Sequence, residues 1–255
     1  MIELDAMGTG KVVVVGHRGA AGHAPENTVA SFEKAGALGA HAFECDLQIT
    51  ADGQVVVIHD AMVDRVTNGR GRVDQYTLAD LRRLDAGSWF DQEYAGQKIP
   101  TLSEAVAASQ RIGLDLVLEI KGEPEPSPVL VERTVSAVLE SGWADHTAII
   151  SFHHPCLLWV REITDLIATG ILYGHGTPDP VAEARRFQAN SIRPHQARVS
   201  AQLAEEAHAA GLCLHAWTVN DGSRAVELAQ MGVDSIGTDY PDRIGAALRG
   251  IGRLA

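Results

Sequence analysis

Short apolar runs alternate with longer stretches in which apolar residues recur every three or four positions. Val12-Val13-Val14-Val15 is a β-branched run that reads as a buried strand. Gly16, Gly19 and Gly22 then break it into a turn-rich loop. From Glu26 to Leu38 the spacing of Val29, Phe32, the Lys34 stem and Leu38, introduced by Pro25, predicts a helix. Ala42 to Leu47 reads as a second strand. Ala51-Asp52-Gly53 turns it into a hairpin whose return strand, Val55 to Ile58, ends on His59-Asp60. Further strands are predicted at Leu114–Ile120, Ala148–Phe152, Leu166–Tyr173, Ser191–Arg193, Leu212–Trp217 and Val233–Thr238. Helical spacing separates them at 102–111, 129–141, 155–163, 180–188, 201–210, 221–231 and 241–249. Pro124, Pro126 and Pro128 predict a stiff loop into the second of these helices.

Eight strands, each trailed by a helical segment, predict a parallel sheet closed into a (β/α)₈ barrel, a TIM barrel of the α/β class. Residues 61–100 break the rhythm with Asn68-Gly69-Arg70-Gly71, a Leu78-Leu81-Leu84 spacing, and Trp89, Phe90 and Tyr94. They read as a small insertion after the second strand, either placed over the barrel mouth to shape a pocket, since loops this long are more often functional than idle, or a passive cap packing on the barrel rim. No repeat, linker or low-complexity tract divides the chain, so residues 1–255 are expected to form a single domain.

Length agrees, because a barrel of this kind takes roughly 250 residues and the chain has 255. A net charge of −12 argues against a nucleic-acid partner, which would call for a basic face. An anionic substrate must then be drawn in by local positive charge. Cys45, Cys156 and Cys213 are odd in number and widely spaced, which suits reduced core residues. The first ten residues carry no basic stretch followed by an apolar one, and the apolar runs are strand-length. A cytoplasmic protein without stable membrane association is the expectation; the oligomeric state is not legible.

Glu44 and Asp46 lie two apart on a strand, so their side chains leave one face with Cα atoms about 6.5–7 Å apart. Two carboxylates there either flank a hard divalent cation or separate, one toward solvent or onto Arg18. Glu119-Ile120-Lys121 places a second charged pair after an apolar run, as a site or as a barrel-mouth salt bridge. His17 and His59 end neighbouring strands beside these carboxylates, which makes an acid/base pair plausible. Asp60 is expected to point away from His59, and His23, His153, His154 and His215 read as structural. Cys45 should face the helices. Trp217 is either core or the wall of a substrate pocket.

Together, His17-Arg18-Gly19 with Pro25-Glu26-Asn27-Thr28, Glu44-x-Asp46, His59-Asp60, Glu119-x-Lys121, the stretch Gly87 to Ala105, Ser151-Phe152 and Trp217-Thr218-Val219-Asn220 resemble the glycerophosphodiester phosphodiesterase family. The resemblance covers nearly the whole chain. It implies hydrolysis of a small-molecule glycerophosphodiester to glycerol 3-phosphate and an alcohol. It also implies one Mg²⁺ or Ca²⁺ on Glu44, Asp46 and Glu119, catalysis by His17 and His59, and phosphate contacts from Arg18 and Lys121. Trp217 and Asn27 join the expected substrate contacts. Two other readings use the same residues: a lysophospholipase D, which would need a groove for an acyl chain, and a non-catalytic barrel that binds metal and phosphodiester. The preferred alcohol, the choice between Mg²⁺ and Ca²⁺, and which histidine is the acid are not written in the sequence.

Overall fold

The computed structural model describes residues 1–122, 125–174 and 176–255; the expected loop proline Pro124 lies outside the described residues. The strands are β1 (Val13–Gly16), β2 (Ala42–Ile49), β3 (Val55–Val57), β4 (Asp115–Ile120), β5 (Thr147–Ser151), β6 (Ala168–Tyr173), β7 (Ser191–Pro194), β8 (Cys213–Ala216) and β9 (Ser235–Thr238). Hydrogen bonding runs β1-β9-β8-β7-β6-β5-β4-β2, and β1 also pairs with β2. That closes a ring of eight parallel strands, the expected barrel, with β3 antiparallel on the outer run of β2. The helices are α1 (Ile2–Asp5), α2 (Val29–Ala37), α3 (Leu78–Leu81), α4 (Leu102–Ile112), α5 (Pro128–Glu140), α6 (Pro155–Ile163), α7 (Pro180–Arg186), α8 (Ala201–Ala209), α9 (Gly222–Met231) and α10 (Pro241–Gly250). No helix among the described residues is long and apolar enough to cross a membrane.

Strand alternation sorts the side chains into two layers. On β4, Leu116, Leu118 and Ile120 face the helices, whereas Val117 joins Val13, Val15, Ala42, Ile150 and Leu172 inside the ring. Cys45 packs in the helix layer as expected. The helix start at Glu26 needs correction, since α2 begins only at Val29. The Thr28 hydroxyl accepts from Ser31 N–H and caps it. Asn27, at φ +58°, cannot be helical, and the loop before it is free to build the site.

The N-terminal end of the ring is closed by α1, an element the hydrophobic pattern does not announce. It delivers Glu3 into the barrel, where Arg193 Nη2 donates to the carboxylate at 2.9 Å and Ser235 Oγ at 2.7 Å. His215 Nδ1 lies 3.1 Å away. A Cβ on Gly170 would stand 2.6 Å from Arg193 Nε, so only glycine leaves room for this guanidinium inside the ring. Burial alone would raise the Glu3 carboxyl, but Arg193 and His215 outweigh it and hold it well below the ordinary range.

Residues 61–100 carry a small core of their own, in which Val63, Val66, Val73, Leu81, Ala86 and Ile99 pack on Val56 and Ile58. Arg82 ties this unit to α4 by pairing with Glu104, the residue that also completes the Thr101 capping box.

Candidate active site

Register brings the acidic residues together. Asp46 on β2 lies directly beside Glu119 on β4, and Glu44 leaves the same face two residues earlier. One oxygen from each of Glu44, Asp46 and Glu119 lies within 4.8 Å of the other two. Among the described residues this is the one group of three or more potential metal ligands. All three are buried, and the Glu44 Oε1 atom makes no hydrogen bond within the described chain. Burial, Asp46 and Glu119 together hold Glu44 well above the ordinary carboxyl range. Burial likewise pushes Glu119 up to about 7, although Lys121 pulls the other way. Asp46 resists its burial because Lys121 and Arg18 hold it well below that range. An all-oxygen trio with one unpartnered buried oxygen fits a hard divalent cation.

Two cations flank the trio. Lys121 Nζ lies 2.6 Å from Glu119 and 3.1 Å from Asp46. Burial disfavours its charge, but Asp46 and Glu119 outweigh burial and raise its pKa. Glu119 and Lys121 thus form the salt bridge that is one of their two readings. Arg18 N–H donates to Glu44 Oε2 at 2.9 Å, and its Nη1 donates to Glu26 at 2.8 Å. The Arg18 Nε is buried, stands 3.3 Å from Asp46 and makes no hydrogen bond within the described chain. Arg18 sits at φ +52°, a strained value for a residue with a Cβ, and its carbonyl is held by Asn27 N–H and Ser31 Oγ. Gly19, at φ +87°, is required beside it, because a Cβ there would come within 2.6 Å of the Ser31 backbone.

Each histidine is held from behind by an aspartate. His17 Nδ1 lies 2.6 Å from Asp239, whose other oxygen accepts from Asn220 Nδ2 at 2.6 Å. His59 Nδ1 lies 2.7 Å from Asp60, which corrects the expectation that Asp60 points away. Alternation fails there because β3 ends at Val57, and the bend after it lets neighbouring side chains meet. Arg65 hydrogen-bonds Asp60 and holds its carboxyl down to about 2. Burial lowers the His59 pKa, against the pull of Asp46. With Nδ1 engaged, each ring keeps Nε2 for other partners.

A cavity opens between these groups, with His17, Arg18, Glu44, His59, Glu119 and Lys121 in its lining. Trp217 is also in its lining; its Nε1 donates to the Arg193 carbonyl at 2.7 Å, and its ring meets Phe152 edge-on at 5.5 Å. Asn27, one of the expected substrate contacts, is engaged with Asp46. Its Nδ2 donates to Asp46 Oδ2 at 2.7 Å, its Oδ1 accepts from Asp46 N–H at 3.2 Å, and it does not line the cavity. None of residues 61–100 lines the cavity. Phe90 meets Trp89 and Tyr94 edge-on, and the Tyr94 hydroxyl donates to the His23 carbonyl.

Sequence reasoning missed Asp239, Asn220, Glu26 and Arg65. Asp239 directly follows β9 and Asn220 belongs to the loop after β8, ends where a TIM barrel places function. Glu26 and Arg65 lie 39 residues apart, and nothing in their spacing pairs them.

Residues 17–243 match the family model described as the glycerophosphoryl diester phosphodiesterase family. The Bacillus subtilis protein YhdW is 39% identical over 236 residues, 91% of this chain and 96% of its own. A glycerophosphodiester phosphodiesterase of Caldanaerobacter subterraneus subsp. tengcongensis is 36% identical over 234 residues, 92% of this chain and 96% of its own. A solved phosphodiesterase of Oleispira antarctica, in complex with the product sn-glycerol-3-phosphate, superposes with a TM-score of 0.85 at 33% identity, covering 94% of this chain and 98% of that one.

Proposed function

The chain belongs to the glycerophosphoryl diester phosphodiesterase family, and from that premise we propose that it hydrolyses glycerophosphodiesters to glycerol 3-phosphate and an alcohol, with a divalent cation and two histidines. The carrying observation is the convergence of Glu44, Asp46 and Glu119 within 4.8 Å beside two imidazoles that are each braced by an aspartate. The product bound to the Oleispira antarctica relative supports glycerol 3-phosphate as the retained half here.

A phosphodiester carries one negative charge and gains more as a nucleophile approaches phosphorus. Arg18, with a buried Nε in need of an acceptor, and Lys121 neutralise that charge on the phosphate oxygens. Glu44, Asp46 and Glu119 would hold the cation, Mg²⁺ or Ca²⁺, which would supply Lewis-acid charge neutralisation. Asp239 and Asp60 hold the proton on Nδ1 of His17 and His59, so both work through Nε2. One imidazole, neutral at the start, takes the nucleophile's proton on its Nε2, and the other, entering as the imidazolium, gives its Nε2 proton to the leaving alkoxide. Asn27 serves by fixing Asp46, and Trp217 by walling the pocket.

The test is release of glycerol 3-phosphate from glycerophosphocholine and glycerophosphoethanolamine, with and without EDTA, and after adding back Mg²⁺ or Ca²⁺. Metal-dependent release supports the reading. Full activity in EDTA removes the metal from it, and no release from either diester under any condition removes the reaction.

A further inference from the structure

We propose that Arg65, in the segment between β3 and α3, is a positioning residue that aims Arg18 and His59 at the same time. This inference rests on the reaction proposed above and concerns a residue outside the cavity.

The geometry is a double clamp. Arg65 Nε donates to Asp60 Oδ2 at 2.6 Å, while Nη1 and Nη2 donate to the two oxygens of Glu26, both at 2.8 Å. Each of these carboxylates also holds a site residue, Asp60 through its other oxygen and Glu26 through an oxygen it shares with Arg65. Asp60 Oδ1 meets His59 Nδ1 at 2.7 Å, and Glu26 Oε1 also accepts from Arg18 Nη1 at 2.8 Å. One guanidinium therefore ties the loop after β1 to the end of the β2–β3 hairpin. Arg65 is 44% exposed and lines none of the cavity, so it can act only through its partners.

Charge makes the clamp consequential. Glu26 and Asp60 share Arg65, and without it Glu26 would turn both oxygens on Arg18 and draw that guanidinium off the phosphate. Asp60 would lose the contact that fixes its rotamer, and with it the orientation of His59. Only arginine offers three N–H groups in one plane to two carboxylates; a lysine ammonium can replace the charge but not the fork. The bonds are those of a partly exposed ion pair, which contributes little to stability. Loss of Arg65 should therefore damage turnover far more than folding. This also gives residues 61–100 a task other than lining the pocket: they carry the clamp.

The experiment compares wild type, Arg65→Ala and Arg65→Lys as full chains. It reads kcat and KM on glycerophosphocholine, Tm, and the ring-nitrogen resonances of ¹⁵N-labelled histidine, with His59 assigned by the His59→Ala variant. Misplacing catalytic groups by an ångström costs about 10²-fold, so kcat/KM of Arg65→Ala should fall 10–100-fold. Part of that loss should lie in kcat, through His59, and part in KM, through Arg18. The Tm should move by only about 4 °C or less. The His59 Nδ1 resonance should shift as its partner loosens, and Arg65→Lys should recover less than half of the loss on a logarithmic scale. Values of kcat and KM within twofold of wild type, with His59 resonances unchanged, would overturn the proposal. Full recovery by lysine would overturn the fork. Should Arg65→Ala not fold, Arg65→Lys is judged by the same twofold and resonance criteria. A wild-type chain that releases no glycerol 3-phosphate refutes the proposed reaction instead, and the nitrogen resonances then decide the clamp alone.

Discussion

Removing the Asn27 amide should weaken cation binding without touching a ligand. Asn27 grips Asp46 twice, through Nδ2 on Oδ2 at 2.7 Å and through Oδ1 on the Asp46 N–H at 3.2 Å. Asp46 is only 1% exposed, so no water readily replaces these contacts. A hydrogen bond to a charged buried group contributes about 1.5–3 kcal/mol. Loss of a residue that orients a ligand typically costs about 10–100-fold in metal affinity. The choice of variant matters. Asn27 sits at φ +58°, where alanine would add about 1–2 kcal/mol of backbone strain; glycine adopts that conformation freely. Asn27→Gly therefore isolates the amide, and the excess destabilisation of Asn27→Ala reports the strain. Calorimetric titration of chelator-stripped protein with Mg²⁺ or Ca²⁺ should show a Kd raised about 10–100-fold in Asn27→Gly. Its Tm should fall by about 3–12 °C, taking 2–4 °C per kcal/mol for a chain of this size. An unchanged Kd in a folded Asn27→Gly protein would refute the claim that Asp46 needs this partner to serve as a ligand.

Other outcomes follow from the same geometry. His17→Ala and His59→Ala should each lower kcat about 10²–10⁴-fold while cation affinity, read by the same titration, stays within a few fold; near-normal turnover of both with metal present removes the acid/base pair. Cation binding should be pH-linked, because burial and the neighbouring carboxylates hold Glu44 high and burial pushes Glu119 up to about 7. Binding must then displace protons, so affinity should fall as pH drops below about 7, and titration in two buffers of different ionisation enthalpy should detect the released proton. The Glu3 cluster should make the fold acid-labile. Burial depresses His215, and Arg193 and His215 depress Glu3 against burial, so the unfolded chain binds more protons in acid. Their contribution is complete above His215's ordinary value of 6.5 and is lost as pH falls through it and on past Glu3's ordinary 4.5. Urea unfolding of Glu3→Gln should show about 3–5 kcal/mol lost at pH 7 and a smaller further loss between pH 6.5 and pH 4 than in wild type.

Most of the barrel and the gathering of its acidic trio can be read from the chain because both follow from period-2 alternation. Glu44, Asp46 and Glu119 occupy inward positions of strands whose apolar partners mark the opposite face, and parallel register does the rest. What alternation cannot reach is chain that has left the strands. Asp60 meets His59 only because β3 stops at Val57, and Asn27 turns to Asp46 only because its left-handed backbone delays α2 to Val29. The aromatic residues 89–94 suggest a pocket lid, yet they pack on one another and on the loop at His23, while Phe152 and Trp217 face the cavity. Long-range ion pairs are the least legible. Glu3 and Arg193 are 190 residues apart, and neither residue type announces a partner in its own neighbourhood.

The central claim is that Glu44, Asp46 and Glu119 grip one cation between the two histidines. Anomalous diffraction from crystals grown with Mn²⁺, as a scattering surrogate for Mg²⁺, tests it most directly. A single peak within about 2.0–2.6 Å of an oxygen from each of the three carboxylates is expected, and it should vanish in Asp46→Asn. A peak that excludes any one of the three, or none at all from crystals of active enzyme, contradicts it.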